Sequence, residues 1–173
     1  MERCYKIIVS LLVLTYLLVP INQVLAMDIP QDTEDQGVPA VQAKSTTQQK
    51  REVISITSDE LLLLSKLVAG EARGESYEGQ VAVAAVVINR VRDSRFPDSI
   101  RDVIYQENAF SVVNDGSINM QPTDSAYKAA QEALYGNDPT NNAIYFWNPD
   151  IATCQWIRTL DPYMRIGNHV FAK

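Results

Sequence analysis

The segment "YEGQVAVAAVVINRVRD", residues 77–93, constrains the fold more than any other part of the chain. Apolar residues occupy every position from 81 to 88, so a helix formed here has no polar face to present to water. The β-branched residues would also suit a strand, but the interleaved alanines and the length of the run favour a helix over residues 77–92. Ser76 is placed to cap it. Such a helix must be central, because every side of it has to be buried.

A second helix is predicted directly before this one. Thr57 and Glu60 form a capping box in "TSDE", which is a sequence signature of a helix start. The predicted helix covers residues 58–73, and Gly74 is a natural stop because glycine readily adopts the conformation that ends a helix.

The apolar stripe of this predicted helix ends in an acid. Leu64 and Leu67 lie on one helix face, and the next position on that face is Glu71. A charged carboxylate that faces a core is costly, and partial burial favours its protonated form. A carboxyl at a helix end beside a cleft can therefore donate a proton and take one back. The alternative is an acid at a solvent-exposed helix end, paired with Arg73 or Arg90.

The rest of the chain changes from helical to strand-like patterns. Asp98 could cap a short helix to about Gln106, "NDGS" is a turn, and Thr123 or Asp124 opens a helix that Gly136 ends. Strand patterns follow in "AIYFW", in "NHVFA" and, as a third candidate, in "TCQWI". Helices first and short strands last predict an α+β domain dominated by helix.

The first 26 residues match a secretory signal peptide. Arg3 and Lys6 precede the apolar run "IIVSLLVLTYLLVPI". Ala26 ends a segment that has small residues at the positions that a signal peptidase recognises. An uncleaved membrane anchor is the alternative, although the run is shorter than about 20 residues and contains Pro20. Residues 27–52 are polar and predict a flexible tether. Residues 53–173 are then the folded domain.

The composition excludes several function classes. The chain carries 21 acidic and 15 basic residues, a formal net charge of −6, which disfavours nucleic-acid binding. It lacks a polybasic patch for anionic membranes, so membrane contact is expected only through the signal segment. The single histidine, His169, argues against a catalytic zinc site. No phosphate loop, dinucleotide fingerprint or metal loop occurs, so no cofactor is expected.

Two further pairs of residues could carry chemistry. Glu75 is a second carboxylate four residues after Glu71, but two acids on one helix face do not flank a sugar–sugar bond, which favours a structural role. Cys154 and His169 could form a thiol nucleophile and its base. A lone cysteine between apolar residues is more often a buried, inert thiol.

Aromatic residues concentrate late in the chain. Alternation along "AIYFW" sends Tyr145 and Trp147 to one face of a strand and Phe146 to the other. One face should be core, and the other could stack on sugar rings. Core packing is the simpler explanation for any single ring.

Several blocks of the sequence, in order, resemble the cell wall hydrolases of the spore cortex-lytic SleB/CwlJ type. The blocks are "EARGESYEGQVAVAAVVINRV", "RFPDSIRDVIYQ", "AFSVV", "AIYFWNP" and "RIGNHVFA". The resemblance covers residues 61–173, which is essentially the whole predicted domain. It implies a mostly helical, lysozyme-like or lytic-transglycosylase-like α+β fold with a small antiparallel sheet near the C-terminus.

The resemblance also implies an activity and a site. The family cuts the glycan strands of peptidoglycan at the β-1,4 bond after N-acetylmuramic acid, and its members that resemble lytic transglycosylases use a single essential glutamate. That glutamate matches Glu71. Ser111, Tyr145 and Asn148 lie in matching blocks and could hydrogen-bond the sugar, so residues 53–173 would form the catalytic domain.

A lytic transglycosylase lets the 6-hydroxyl of the muramic sugar close on its own anomeric carbon, so one glutamate acts first as acid and then as base. Asn168 and His169 would brace the cleft. Hydrolysis by a muramidase, a cysteine amidase or endopeptidase that uses Cys154 and His169, and a non-catalytic wall-binding module are the alternatives. The expected location is outside the cell, in the wall or spore cortex. The expected partners are peptidoglycan and a regulatory wall or spore protein.

Overall fold

The computed structural model describes residues 51–173. The expected signal peptide and nearly all of the expected tether lie outside the described residues. The described part contains the helices and strands α1 (Ser58–Glu71), α2 (Tyr77–Arg92), α3 (Ile100–Ile104), α4 (Ser111–Asn114), α5 (Asp124–Leu134), β1 (Tyr145–Trp147), β2 (Met164–Ile166) and β3 (His169–Ala172). The predicted α+β architecture, with helices first and a small antiparallel sheet last, is confirmed.

Helix α2 is central to the domain, as the sequence predicts. Ser76 caps it by accepting a hydrogen bond from the backbone N–H of Gly79 at 3.2 Å. Every position from 81 to 90 is buried. Helices α1 and α5 pack against α2, and the sheet adds a contact where Phe171 meets Ala82 and Val86. Within residues 51–173 no helix, α2 included, is long and apolar enough to cross a bilayer.

Helix α1 begins as predicted but ends earlier. The hydroxyl of Thr57 accepts from the N–H of Glu60 at 3.2 Å, and the Glu60 carboxylate accepts from the N–H of Thr57 at 3.0 Å. The last helical residue is Glu71, because the chain leaves the helix at Ala72 and Gly74 adopts a φ of +82°. The prediction that the helix extends to residue 73 is wrong, and Glu71 takes the terminal position.

The other helices start close to their predicted caps. Ser99, and not Asp98, caps α3, since its hydroxyl accepts from the N–H of Asp102 at 3.0 Å. Thr123 caps α5 through its side chain, as predicted. Gly136 follows α5 with a φ of +90°, which is the conformation expected of a glycine that ends a helix.

The sheet has the strand order β1–β3–β2, and both pairings are antiparallel. The expectation that "TCQWI" forms a strand is wrong, because residues 153–156 lie in a loop, Ile157 begins a short 3₁₀ turn, and the third strand is Met164–Ile166. Gly167 and Asn168 join this strand to β3 in a tight turn, with Gly167 at a φ of +59°. A two-residue turn of this kind holds the two strands that it joins side by side in antiparallel pairing.

The alternation predicted along β1 is confirmed. Tyr145 and Trp147 pack in one apolar cluster with Val170, which lies opposite Trp147 on β3. Phe146 faces the other way and packs against Phe171 and the main core. Both faces of β1 are therefore covered, one by the cluster that contains Val170 and the other by Phe171 and the main core.

Gly70 lets α4 approach the end of α1. A Cβ at this position would overlap Cγ1 of Val112, so the close approach requires glycine. Because α4 begins at Ser111, the approach sets the position of Ser111 and Val112 relative to Glu71, the residue after Gly70.

We expect Gly70→Ala to destabilise the domain by about 1–3 kcal/mol, because overpacking against Val112 outweighs the helix propensity that alanine adds. Urea unfolding of the full chain, followed by circular dichroism, measures the change. The double variant Gly70→Ala/Val112→Ala should recover part of the loss, since it removes the overlapping methyl group. Equal stability of Gly70→Ala and the wild type would show that α4 can move away without cost.

Candidate active site

The side chain of Glu71 is held at the junction of α1 and α4. Its Oε1 accepts hydrogen bonds from the hydroxyl of Ser111 at 3.0 Å and from the backbone N–H of Val112 at 3.1 Å. No group within residues 51–173 hydrogen-bonds to Oε2, so this oxygen is available to carry or accept a proton. Glu71 is half-buried at a helix end, as its position on the apolar stripe predicts.

Arg90 is a buried cation near this site. Only 7 % of the residue is exposed, and its Nε donates to the carbonyl oxygen of Ile144 at 2.8 Å. Burial lowers the pKa of Arg90 to about 10, against the opposing influence of Tyr145 and Glu71, so the side chain is charged at neutral pH. Three aromatic rings surround the guanidinium carbon, with centroid distances of 5.0 Å (Phe110), 5.3 Å (Phe96) and 5.9 Å (Tyr145).

Neither arginine that could have neutralised Glu71 forms an ion pair with it. Arg73 is exposed, and its guanidinium contacts the sulfur of Met120 at 3.9 Å. Arg90 forms no ion pair with any of the described residues. The alternative interpretation, in which Glu71 is an exposed acid paired with Arg73 or Arg90, is therefore wrong.

Glu75 joins the loop after α1 to the turn between β2 and β3. Its Oε1 accepts from the side-chain amide of Asn168 at 2.9 Å, and its Oε2 accepts from the backbone N–H of Asn168 at 3.2 Å. The side chain is 6 % exposed, and a Cβ at Gly167 would overlap Oε2. These contacts fit the expected structural role, because they tie Glu75 to the turn before β3.

His169 is buried beside Glu75. Its ring meets Phe146 edge-on, with the centroids 5.1 Å apart. Nδ1 has no hydrogen-bond partner among the described residues and lies 4.0 Å from Oε1 of Glu75. Burial lowers the pKa of His169, against the opposing influence of Glu75 and Glu71, so the imidazole is uncharged at neutral pH. The contact with Glu75 is therefore not an ion pair under those conditions.

The described contacts of His169 do not include Cys154. The imidazole meets Glu75 and Phe146, and the cysteine lies in the loop before the short 3₁₀ turn Ile157–Thr159. Cys154 is half-buried, whereas the sequence predicted a buried thiol. The geometry gives no support to a thiol nucleophile with His169 as its base.

Two of the residues expected to bind sugar, Ser111 and Tyr145, contact Glu71 and Arg90 respectively. Ser111 hydrogen-bonds to Glu71 itself, and Tyr145 is one of the rings around Arg90. The Tyr145 ring also meets Trp156 edge-on at 5.4 Å, and Trp156 is 45 % exposed. Tyr145 and the exposed ring of Trp156 therefore form an aromatic pair beside Arg90.

Asn148, the third residue expected to bind sugar, lies in the turn after β1. Its side-chain oxygen accepts from the N–H of Asp150 at 2.9 Å, so this oxygen organises the turn locally. A role for Asn148 in substrate binding stays a prediction.

Two cavities in the described part of the chain lie elsewhere. Their volumes are about 270 and 230 Å³, and Asn89, Arg92 and Asn142 line both. Neither Glu71 nor Ser111 lines them. Within residues 51–173 no group of three or more His, Cys, Asp or Glu side chains could hold a metal ion.

Comparisons with known proteins assign the chain to a family. The profile of the Cell Wall Hydrolase family matches residues 74–172. The chain belongs to this family. It is 47 % identical over 117 residues to a spore cortex-lytic enzyme of Oceanobacillus iheyensis, covering 68 % of this chain and 42 % of that one. It is 30 % identical over 127 residues to the cell wall hydrolase CwlJ of Bacillus subtilis, covering 69 % of this chain and 88 % of that one.

The fold is also similar to solved structures of this hydrolase family. The catalytic domain of the germination-specific lytic transglycosylase SleB from Bacillus anthracis is 44 % identical, with a TM-score of 0.66, and the match covers 69 % of this chain and 98 % of that one. The SleB catalytic domain of Bacillus cereus is 42 % identical, with a TM-score of 0.65 and coverages of 74 % and 99 %. The expected resemblance to SleB/CwlJ hydrolases and the expected lysozyme-like fold are confirmed.

The similarity covers only part of this chain and only part of the length of its relatives. The chain spans about 42 % of the length of the Oceanobacillus iheyensis relative. The family profile begins at Gly74, so Glu71 lies just before the matched segment of this cell wall hydrolase, whereas Arg90 and Ser111 lie within it.

Two features of the site were not predicted from the sequence: the aromatic rings around Arg90 and the hydrogen bond from the backbone N–H of Val112 to Glu71. The sequence suggested Arg90 only as an ion-pair partner of Glu71. An arginine inside an otherwise apolar helix was the available signal, because arginine is rarely fully buried unless it is paired. The N–H of Val112 is a backbone donor, and a backbone donor leaves no trace in the sequence.

We expect Glu75→Ala to destabilise this hydrolase domain by about 1–3 kcal/mol, because both donors of Asn168 lose their acceptor. Glu75→Gln should cost less, since a flipped Asn168 amide can still pair with it. Glu78→Ala, which removes an exposed acid three residues on, should change stability by less than about 1 kcal/mol. Urea unfolding of the full chain measures all three, and a Glu75→Ala value no larger than that of Glu78→Ala would contradict the role of Glu75.

Proposed function

We propose that this domain cleaves the glycan strand of peptidoglycan after N-acetylmuramic acid, as a lytic transglycosylase, with Glu71 as general acid and then base. The observation that carries the proposal is the Glu71 carboxyl, which is half-buried, with Oε1 bound by Ser111 and Val112 and Oε2 without a partner in residues 51–173. The similarity to a SleB lytic transglycosylase and to spore cortex-lytic enzymes supports it.

One carboxyl is sufficient for the proposed reaction. Glu71 gives its proton to the glycosidic oxygen, and the bond between that oxygen and the anomeric carbon breaks with its electron pair on the oxygen. The 6-hydroxyl of the muramic sugar then bonds to the anomeric carbon and returns its proton to Glu71. Because this nucleophile belongs to the same sugar, it needs no recruitment from solvent. The two donors on Oε1 would keep the carboxyl oriented through both steps.

The second carboxylate of the region would not act on the bond. Both oxygens of Glu75 are bound to Asn168, and its side chain is 6 % exposed. Hydrolysis with two carboxyl groups needs an acid and a base or nucleophile on opposite sides of the bond. The geometry therefore favours the single-acid reaction over two-carboxylate hydrolysis.

We further propose where the chain acts and what it binds. Ser111, Tyr145 and Asn148 would hydrogen-bond the sugar on the Glu71 side, and the exposed ring of Trp156 extends the surface next to Tyr145. The substrate would be wall or spore-cortex peptidoglycan, reached after secretion through the signal segment. A wall or spore protein would regulate the activity.

We expect Glu71→Gln to reduce the release of soluble glycan fragments by at least about a hundredfold, because the amide cannot supply the proton. The assay compares digestion of purified peptidoglycan by the wild-type and variant full chains, with circular dichroism as a check of folding. Glu78→Gln is the matched control and should digest at the wild-type rate, since Glu78 is exposed. Activity retained by Glu71→Gln and lost by Cys154→Ala would instead support a cysteine amidase.

The products distinguish transglycosylation from hydrolysis. Ring closure by the 6-hydroxyl leaves 1,6-anhydromuramic ends, which are lighter by one water than the reducing ends left by hydrolysis. We expect mass spectrometry of the digest to find the anhydro ends. Reducing muramic ends alone would show that water is the nucleophile and that the chain is a muramidase.

A further inference from the structure

Arg90 is the only Lys or Arg side chain that is buried within residues 51–173. Burying a charge without a close counter-charge is costly. Because α2 is apolar from residue 81 to residue 88, an apolar side chain of similar size would fill the space at lower cost. The charge itself therefore points to a function.

The surroundings of Arg90 stabilise its charge without neutralising it. The rings of Phe96, Phe110 and Tyr145 lie within about 6 Å of the guanidinium carbon, the range over which an aromatic face attracts a cation. The carbonyl of Ile144 accepts from Nε, and no described hydrogen bond within residues 51–173 uses the other guanidinium N–H groups. A full positive charge is therefore held in place next to the site.

Arg90 is linked to Glu71 through the segment that carries the two donors. Phe110, whose ring is 5.0 Å from the guanidinium carbon, is the N-cap residue of α4. The next two residues, Ser111 and Val112, donate to Oε1 of Glu71. Packing of Arg90 against Phe110 therefore fixes where these donors lie.

We propose that Arg90 is a positioning residue for Glu71, which holds Phe110 and the two donors of α4 against the carboxyl. The inference rests on the proposed function, and it adds to that function a residue from the central helix. The guanidinium attracts the ring of Phe110, and that ring belongs to the residue from which α4 begins.

The split between kcat and KM in Arg90→Gln tests the proposal. The misplaced donors of α4 should lower kcat about tenfold or more, with a smaller change in KM, because the carboxyl is oriented less well while the sugar still binds. Phe110→Leu removes the ring that links Arg90 to α4. If Arg90 acts through this ring, the loss of kcat in the double variant Arg90→Gln/Phe110→Leu should be smaller than the product of the two single losses.

Two variants of the same helix serve as controls. Arg90→Lys keeps a cation for the ring of Phe110 but lacks the planar fork, so it should recover part of the lost kcat. Arg92→Gln removes an exposed charge two residues further on, and both kcat and KM should be unchanged. A folded Arg90→Gln variant with the wild-type kcat overturns the proposal.

A second variant applies if circular dichroism shows that Arg90→Gln does not fold. Phe110→Leu removes the ring between Arg90 and α4, so it should also lower kcat about tenfold with a smaller change in KM. A folded Phe110→Leu variant with the wild-type kcat overturns the proposal. Failure of the proposed function gives a different result, because Glu71→Gln would then remain active whatever Arg90 does.

Discussion

The absence of a polar face on α2 is the constraint on which the rest of the domain depends. Every position from 81 to 90 is buried, so α1, α5 and the sheet have to cover the helix. Its two buried polar residues, Asn89 and Arg90, hydrogen-bond to the segment just before β1. Asn89 donates to the carbonyl of Ala143 at 3.1 Å, and Arg90 donates to that of Ile144 at 2.8 Å. The central helix thereby fixes the strand that carries Tyr145.

The candidate site exists only where several elements meet. The carboxyl of Glu71 comes from the end of α1, its donors come from α4, and a glycine at position 70 lets the two helices approach. The charge of Arg90 comes from α2. On the other side, Glu75 ties the loop after α1 to the turn before β3. Because each part is supported by a different element, the carboxyl is oriented by packing and not by a single rigid loop.

Much of the fold could be predicted where the physics is local. The capping box at Thr57, the cap at Ser76 and the apolar run of α2 each depend on residues close in sequence, and each prediction was confirmed. The end of α1 was predicted too late, because the geometry at Ala72 depends on how the following turn packs. The wrong strand at residues 153–157 has a similar cause, since an apolar run becomes a strand only when a neighbour supplies its hydrogen bonds.

The sequence by itself determined that a central, fully apolar helix exists and that an acid ends the apolar stripe of the helix before it. Both follow from the spacing of side chains along one helix. Only the tertiary structure decided which groups surround that acid. The Val112 N–H, the ring of Phe110 and the charge of Arg90 are brought to Glu71 from segments 19 to 41 residues away. Contacts at such separations are set by how helices and strands pack together, and local sequence patterns do not encode that packing.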